Sequence, residues 1–153
     1  MNKTTVAEQV RSGHSIIVNT RGVSMNPLLY EGKTQVLIEP LKEELKLYDM
    51  PIYYLKKNTY VIHRLIKMDE KYYYTRGDNC LSYERVPKEN VFGVVTKIYK
   101  GDQVILMDDP EYLRYVNRLV KTTPLRLTYF KFRSYYVRVK AIIKRIIRGK
   151  QHE

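Results

Sequence analysis

One cysteine, no tryptophan and no apolar run long enough to cross a bilayer set the first limits on this chain of 153 residues. Cys80 alone can form neither an internal disulfide nor a multi-cysteine metal site. The three histidines, His14, His63 and His152, are far apart and carry no zinc-ligand spacing. No metal or cofactor is therefore expected. The first ten residues lack the apolar core of a secretory leader, so the expected location is the cytoplasm. Acids are scarce where bases are dense: from Lys121 to Lys150 there are ten cations and no Asp or Glu. That run carries most of the net charge of +12 and leaves residues 1–120 near neutral. Such asymmetry predicts an anionic partner for the tail.

What the chain has is enough apolar content, 44%, for one core, and 15 tyrosines that favour strands. Thr5 to Arg11 reads as a short helix closed by Ser12-Gly13. Strands are expected at Ser15–Thr20, Gln35–Glu39, Pro51–Leu55, Tyr60–Met68 and Lys71–Thr75, with a turn at Lys56-Lys57-Asn58. Val91–Lys100 and Gln103–Met107 form an expected hairpin across Gly101-Asp102. Asp109-Pro110-Glu111 opens a helix expected to run to about Lys121, with Pro124 breaking the chain after it. The fold class is thus mostly β with a basic helical tail. Residues 1–107 form the expected β core and 108–153 the helical extension.

Three segments carry the chemistry. Gly22-Val23-Ser24-Met25-Asn26-Pro27 places a hydroxyl in a turn that Pro27 helps define. A serine is a weak nucleophile until a base takes its proton, and the Ser24 N–H could then help hold an oxyanion. His63, in Val61-Ile62-His63-Arg64, is the natural base near neutral pH, although a histidine among apolar residues is as readily a core residue. Asp78, in Arg76-Gly77-Asp78-Asn79, and Glu84 are the two carboxylates that could orient the imidazole. Gly-Asp-Asn is also ordinary turn chemistry.

In this order, the Ser-Met-x-Pro turn, the His-Arg pair and the Gly-Asp-Asn turn resemble the signal peptidase I family over about residues 14–100. His63-Arg64 resembles the endoplasmic-reticulum and archaeal form, whose base is histidine where the bacterial form has lysine. Glu31-Gly32 and Val91-Phe92-Gly93-Val94-Val95 also match. The resemblance implies a coiled β-sheet core of signal-peptidase/LexA type and a serine endopeptidase. It implies catalytic Ser24 and His63 with Asp78 or Glu84 as third member, and Met25 and Pro27 beside the substrate. The substrate it implies is a leader-like peptide bound as an extended strand, with small residues near the cut. Two departures stand out: no membrane anchor of the family's kind is expected here, and the family's Gly-Asp before the histidine reads Tyr48-Asp49.

Two competing functions follow from other features. A LexA-type self-cleaving protease shares the serine turn but pairs it with lysine, against His63. A non-catalytic module would dock a peptide or membrane on a degenerate protease fold. For Leu125–Arg148, an anionic membrane surface ranks first, a helix packed on the core second and nucleic acid third. Val139, Ile142, Ile143, Ile146 and Ile147 share one helical face there.

Overall fold

A computed structural model describes residues 5–56 and 59–149. The chain divides into two units, one reaching Val116 and one beginning at Asn117. The first opens with α1, Val6–Arg11, whose start is a capping box between Thr5 and Glu8. Then come β1 (Ile16–Asn19), β2 (Thr34–Glu39), β3 (Pro51–Lys56), β4 (Thr59–Ile62), β5 (Arg64–Met68), β6 (Tyr72–Arg76) and β7 (Glu84–Pro87). A 3₁₀ turn at Lys88–Asn90 leads into β8 (Val91–Lys100) and β9 (Gln103–Leu106). All pairings are antiparallel. One sheet has the order β1-β2-β8-β3-β4 with β9 also on β8, and the other has the order β5-β6-β7. The mostly-β expectation holds.

Alternation explains why β2 forms where it does. Thr34, Val36 and Ile38 face inward and the residues between them do not. Behind this sheet lies α1, with Val10 fully buried. Gly93 is what lets it approach. A Cβ there would stand 2.9 Å from the Glu39 carbonyl oxygen, Ile38 Cγ2 and Val10 Cγ1 alike. A second cluster, Leu45, Tyr53, Leu65, Tyr73, Val86 and Val91, draws on both sheets.

Two expectations are corrected. Tyr60–Met68 is not one strand. It breaks at His63, so that β4 pairs with β3 in one sheet and β5 pairs with β6 in the other. His63, Arg64 and Leu65 are all buried in succession, which a strand with one wet face cannot do. The chain is changing sheets there, and period-two alternation loses its meaning. Nor does the helix stop near Lys121: α2 runs from Pro110 to Gly149 with Pro124 inside it. Around the proline, the Thr122 and Thr123 hydroxyls donate to the Arg118 and Leu119 carbonyls at 2.8 and 2.7 Å, and Thr128 donates to Pro124 at 2.9 Å. Threonine hydroxyls thus bond back to the helix on both sides of the proline. The first two turns of α2 belong to the unit that holds the sheets. Of the expected turn at Lys56-Lys57-Asn58, residues 57 and 58 lie outside the described residues.

Candidate active site

The break between sheets aims the His63 ring at Glu84, the first residue of β7. His63 Nδ1 lies 3.1 Å from Glu84 Oε2 and 3.2 Å from the Tyr53 hydroxyl oxygen. The Tyr53 hydroxyl donates to the same carboxylate oxygen and accepts from Thr75 Oγ1 at 2.8 Å. Tyr53 therefore ties together three elements: its own β3, Thr75 on β6 and Glu84 on β7. Burial and the hydrogen bond to Glu84 push its phenol far above the ordinary range, so it stays a neutral donor.

Burial is also the largest influence on His63. It holds the imidazole below its ordinary value, outweighing the opposing effect of the Glu84 charge and hydrogen bond. The ring is then neutral at neutral pH. A carboxylate against Nδ1 selects the tautomer with its proton on that nitrogen, which leaves Nε2 with a free lone pair. That is the form a general base requires.

Asp78 is brought to a different partner. Its carboxylate receives Arg64 Nε at 2.8 Å and Nη2 at 2.7 Å, a bidentate pair with side chains 2% and 1% exposed. Burial opposes the Arg64 charge, but the Asp78 carboxylate more than compensates and keeps the guanidinium firmly protonated. Arg64 Nη1 also donates to the Tyr48 carbonyl at 3.0 Å and to the Tyr112 hydroxyl at 2.9 Å, while the Tyr115 hydroxyl donates to Asp78 Oδ2 at 2.9 Å. The start of α2 is thus anchored on this ion pair. Of the two carboxylates left open by the sequence, Glu84 meets His63, and Asp78 meets the neighbouring Arg64.

Tyr48, where the resemblance would have glycine, has φ +78°, in the left-handed region. Such a backbone costs a non-glycine residue about 1 kcal/mol or more. It is held by hydrogen bonds from Tyr48 N–H to the Leu65 carbonyl and from Leu65 N–H to the Asp49 carbonyl, both 2.8 Å.

The serine turn is fastened to the Gly77-Asp78-Asn79 turn. Asn79 N–H donates to the Ser24 carbonyl at 2.8 Å, and its side-chain amide donates to the Val23 carbonyl at 3.2 Å. Gly77 has no alternative: a Cβ there would lie 2.6 Å from the Ser24 carbonyl oxygen and 2.8 Å from Cys80 Sγ. Cys80 sits between the two halves of the site, 4.0 Å from the Ser24 carbonyl oxygen and near enough to Glu84 to feel its charge. Burial first, and that charge second, push its thiol up, so it is a poor candidate for a nucleophile.

Ser24 is half-buried, and among the described residues no hydrogen bond joins its hydroxyl to His63. Met25, expected beside the substrate, is 4% exposed and belongs to the core. Pro27 is exposed and lines, with Leu28, Lys100, Ile105 and Tyr115, a cleft of about 390 Å³. Among the described residues no cluster of His, Cys, Asp and Glu could hold a metal ion. Tyr53 and Thr75 were not legible as site residues, because in sequence they are ordinary strand formers.

Glu84→Gln tests the carboxylate. If His63 is the base, activity falls on the acid side as the ring protonates. Glu84 raises the His63 pKa, so its removal moves that acid limb to lower pH. The rate on the plateau drops about 10²-fold or more, because the imidazolium formed in the reaction loses its counter-charge. A pH profile of kcat/KM on a leader-like peptide reads both changes. A limb that stays in place or rises contradicts the pairing.

No family model matches this chain, and no curated protein matches it.

Proposed function

We propose that the protein is a serine endopeptidase resembling signal peptidase I of the histidine type, with a coiled β core of signal-peptidase/LexA type. The observation that carries this is a buried His63 held through Nδ1 by Glu84, alongside a Ser24 turn pinned by the Gly77–Cys80 segment. In this mechanism His63 Nε2 takes the hydroxyl proton as Ser24 Oγ attacks the scissile carbonyl. The imidazolium, stabilised by Glu84, then protonates the leaving amine. A water attacks the acyl-enzyme with His63 again as base, and the Ser24 oxygen leaves with the returned proton. Glu84 is the third member. Asp78 holds Arg64 and, through it, the strand that begins one residue after His63. The serine–histidine hydrogen bond forms as substrate closes the site, as such bonds tighten in productive complexes.

The substrate is a leader-bearing peptide, entering as an extended strand past the exposed Pro27. Among the described residues no helix is long and apolar enough to cross a membrane. We place the enzyme in the cytoplasm, peripheral to the membrane and processing the leader of a small exported or modified peptide.

A fluorophosphonate probe tests the reading. It labels the unaltered chain at Ser24, and Ser24→Ala abolishes both the labelling and the cleavage of a leader-like peptide. Labelling elsewhere, or cleavage by the Ser24→Ala variant, sinks the proposal. Failure of the unaltered chain to label or cleave leaves the non-catalytic binding module, with which the lack of a Ser24–His63 hydrogen bond among the described residues would then agree.

A further inference from the structure

The unit beginning at Asn117 is helical through Gly149 and carries an apolar stripe longer than its isoleucine-rich end. Leu125, Tyr129, Phe132, Tyr136, Val139 and Ile142 recur at spacings of three and four. At 3.6 residues per turn they fall within an arc of about 140°. Large apolar side chains on this arc are open to solvent: Leu125 is 74% exposed, Phe132 69% and Tyr136 65%. The side chains of Ile143, Ile146 and Ile147 lie outside the described residues.

Cations border this arc on both sides. Arg133 and Lys140 follow one edge, and Lys131, Arg138 and Arg145 follow the other, all exposed. No acid interrupts them between Lys121 and Lys150. From Leu125 to Arg145 the helix is about 30 Å long. It is too charged to span a bilayer.

We propose that this helix lies in the interface of an anionic lipid membrane, its stripe sunk among the acyl chains and its two cationic borders at the headgroups. Charge complementarity selects the occupant. Two copies meeting stripe to stripe would bring cationic borders together without a counter-charge. A nucleic acid would neutralise the cations but leave leucine, phenylalanine and isoleucine in water. An anionic bilayer satisfies both parts at once, and aromatic side chains such as Tyr129, Phe132 and Tyr136 suit the boundary between headgroup and hydrocarbon. The assignment stands on the helix alone and does not depend on the protease reading.

Co-sedimentation of the full chain with vesicles decides it. Phosphatidylcholine vesicles containing phosphatidylglycerol retain the protein; phosphatidylcholine alone does not, and high salt weakens retention. Each neutralised border cation, as in Arg133→Gln or Lys140→Gln, lowers the partition coefficient about fivefold. Phe132→Ser with Tyr136→Ser changes no charge and lowers it at least about tenfold. These side chains are exposed, so circular dichroism and the thermal transition stay as in the unaltered chain. Absence of binding to the anionic vesicles overturns the proposal. So does undiminished binding by the serine pair, which would make the cations alone responsible. Displacement from the vesicles by a single-stranded oligonucleotide, together with oligonucleotide binding unaffected by the serine pair, assigns the helix to nucleic acid. A stable dimer that leaves the vesicles unbound assigns it to a second copy.

Discussion

His63→Ala and Ser24→Ala each lower kcat for a leader-like peptide by about 10³-fold or more, and the double variant falls little further. Non-additivity is the diagnostic part. A serine without its base is a poor nucleophile, and a base without its serine has no proton to take, so removing either removes the same step. Two residues acting independently would show losses that multiply. Single-turnover cleavage, followed by mass spectrometry, measures all three variants on one peptide. Multiplying losses, or near-normal activity in either single variant, would falsify the shared step. Ser24→Ala leaves the urea midpoint nearly unchanged, since truncating a half-buried turn hydroxyl that makes no hydrogen bond among the described residues removes little.

Asp78→Asn has the opposite signature, a large loss of stability. The variant keeps the shape of the side chain but leaves Arg64 charged, buried and facing a neutral amide. Breaking a buried pair by removing one partner costs about 3–5 kcal/mol, because the surviving charge is left without compensation. The Tyr115 hydrogen bond to Asp78 is weakened as well, and with it the seating of the first turns of α2. Urea unfolding reads the loss as a lower midpoint at unchanged slope. Replacing both partners with apolar residues, Arg64→Met with Asp78→Leu, recovers much of it, since no charge then remains buried. Cleavage by Asp78→Asn follows its folded fraction, whereas Glu84→Gln loses rate with its fold intact. An Asp78→Asn variant of unaltered stability that no longer cleaves would move the orienting role from Glu84 to Asp78.

The contrast between these carboxylates shows where the primary structure stops informing. Asp78 occupies the more recognisable motif, and Glu84 stands at the start of a strand that no local pattern announced. Both are acids within reach of a histidine in sequence. Only the pairing of β6 with β7 carries Glu84 toward Nδ1, and only the switch of sheets at His63 turns Arg64 toward Asp78. Alternation works for β2 because a single sheet has a single buried face. It fails across Tyr60–Met68 because two sheets meet there. Pro124 misleads for a related reason: a proline removes only one donor from the ladder, and the helix continues through it.

Short-range chemistry was therefore set by the residues alone. The strand and turn composition, the Thr5–Glu8 cap and the acid-free cationic tail all act over a few neighbours, whereas the need for glycine at 77 and 93 comes from segments distant in sequence. Partnership was decided by the tertiary structure. Which carboxylate faces the imidazole, which one neutralises the arginine and which tyrosine joins them depend on contacts between residues 10 to 31 positions apart. Such contacts form only once non-local strand pairing has closed the loops between them, and no local propensity encodes that closure.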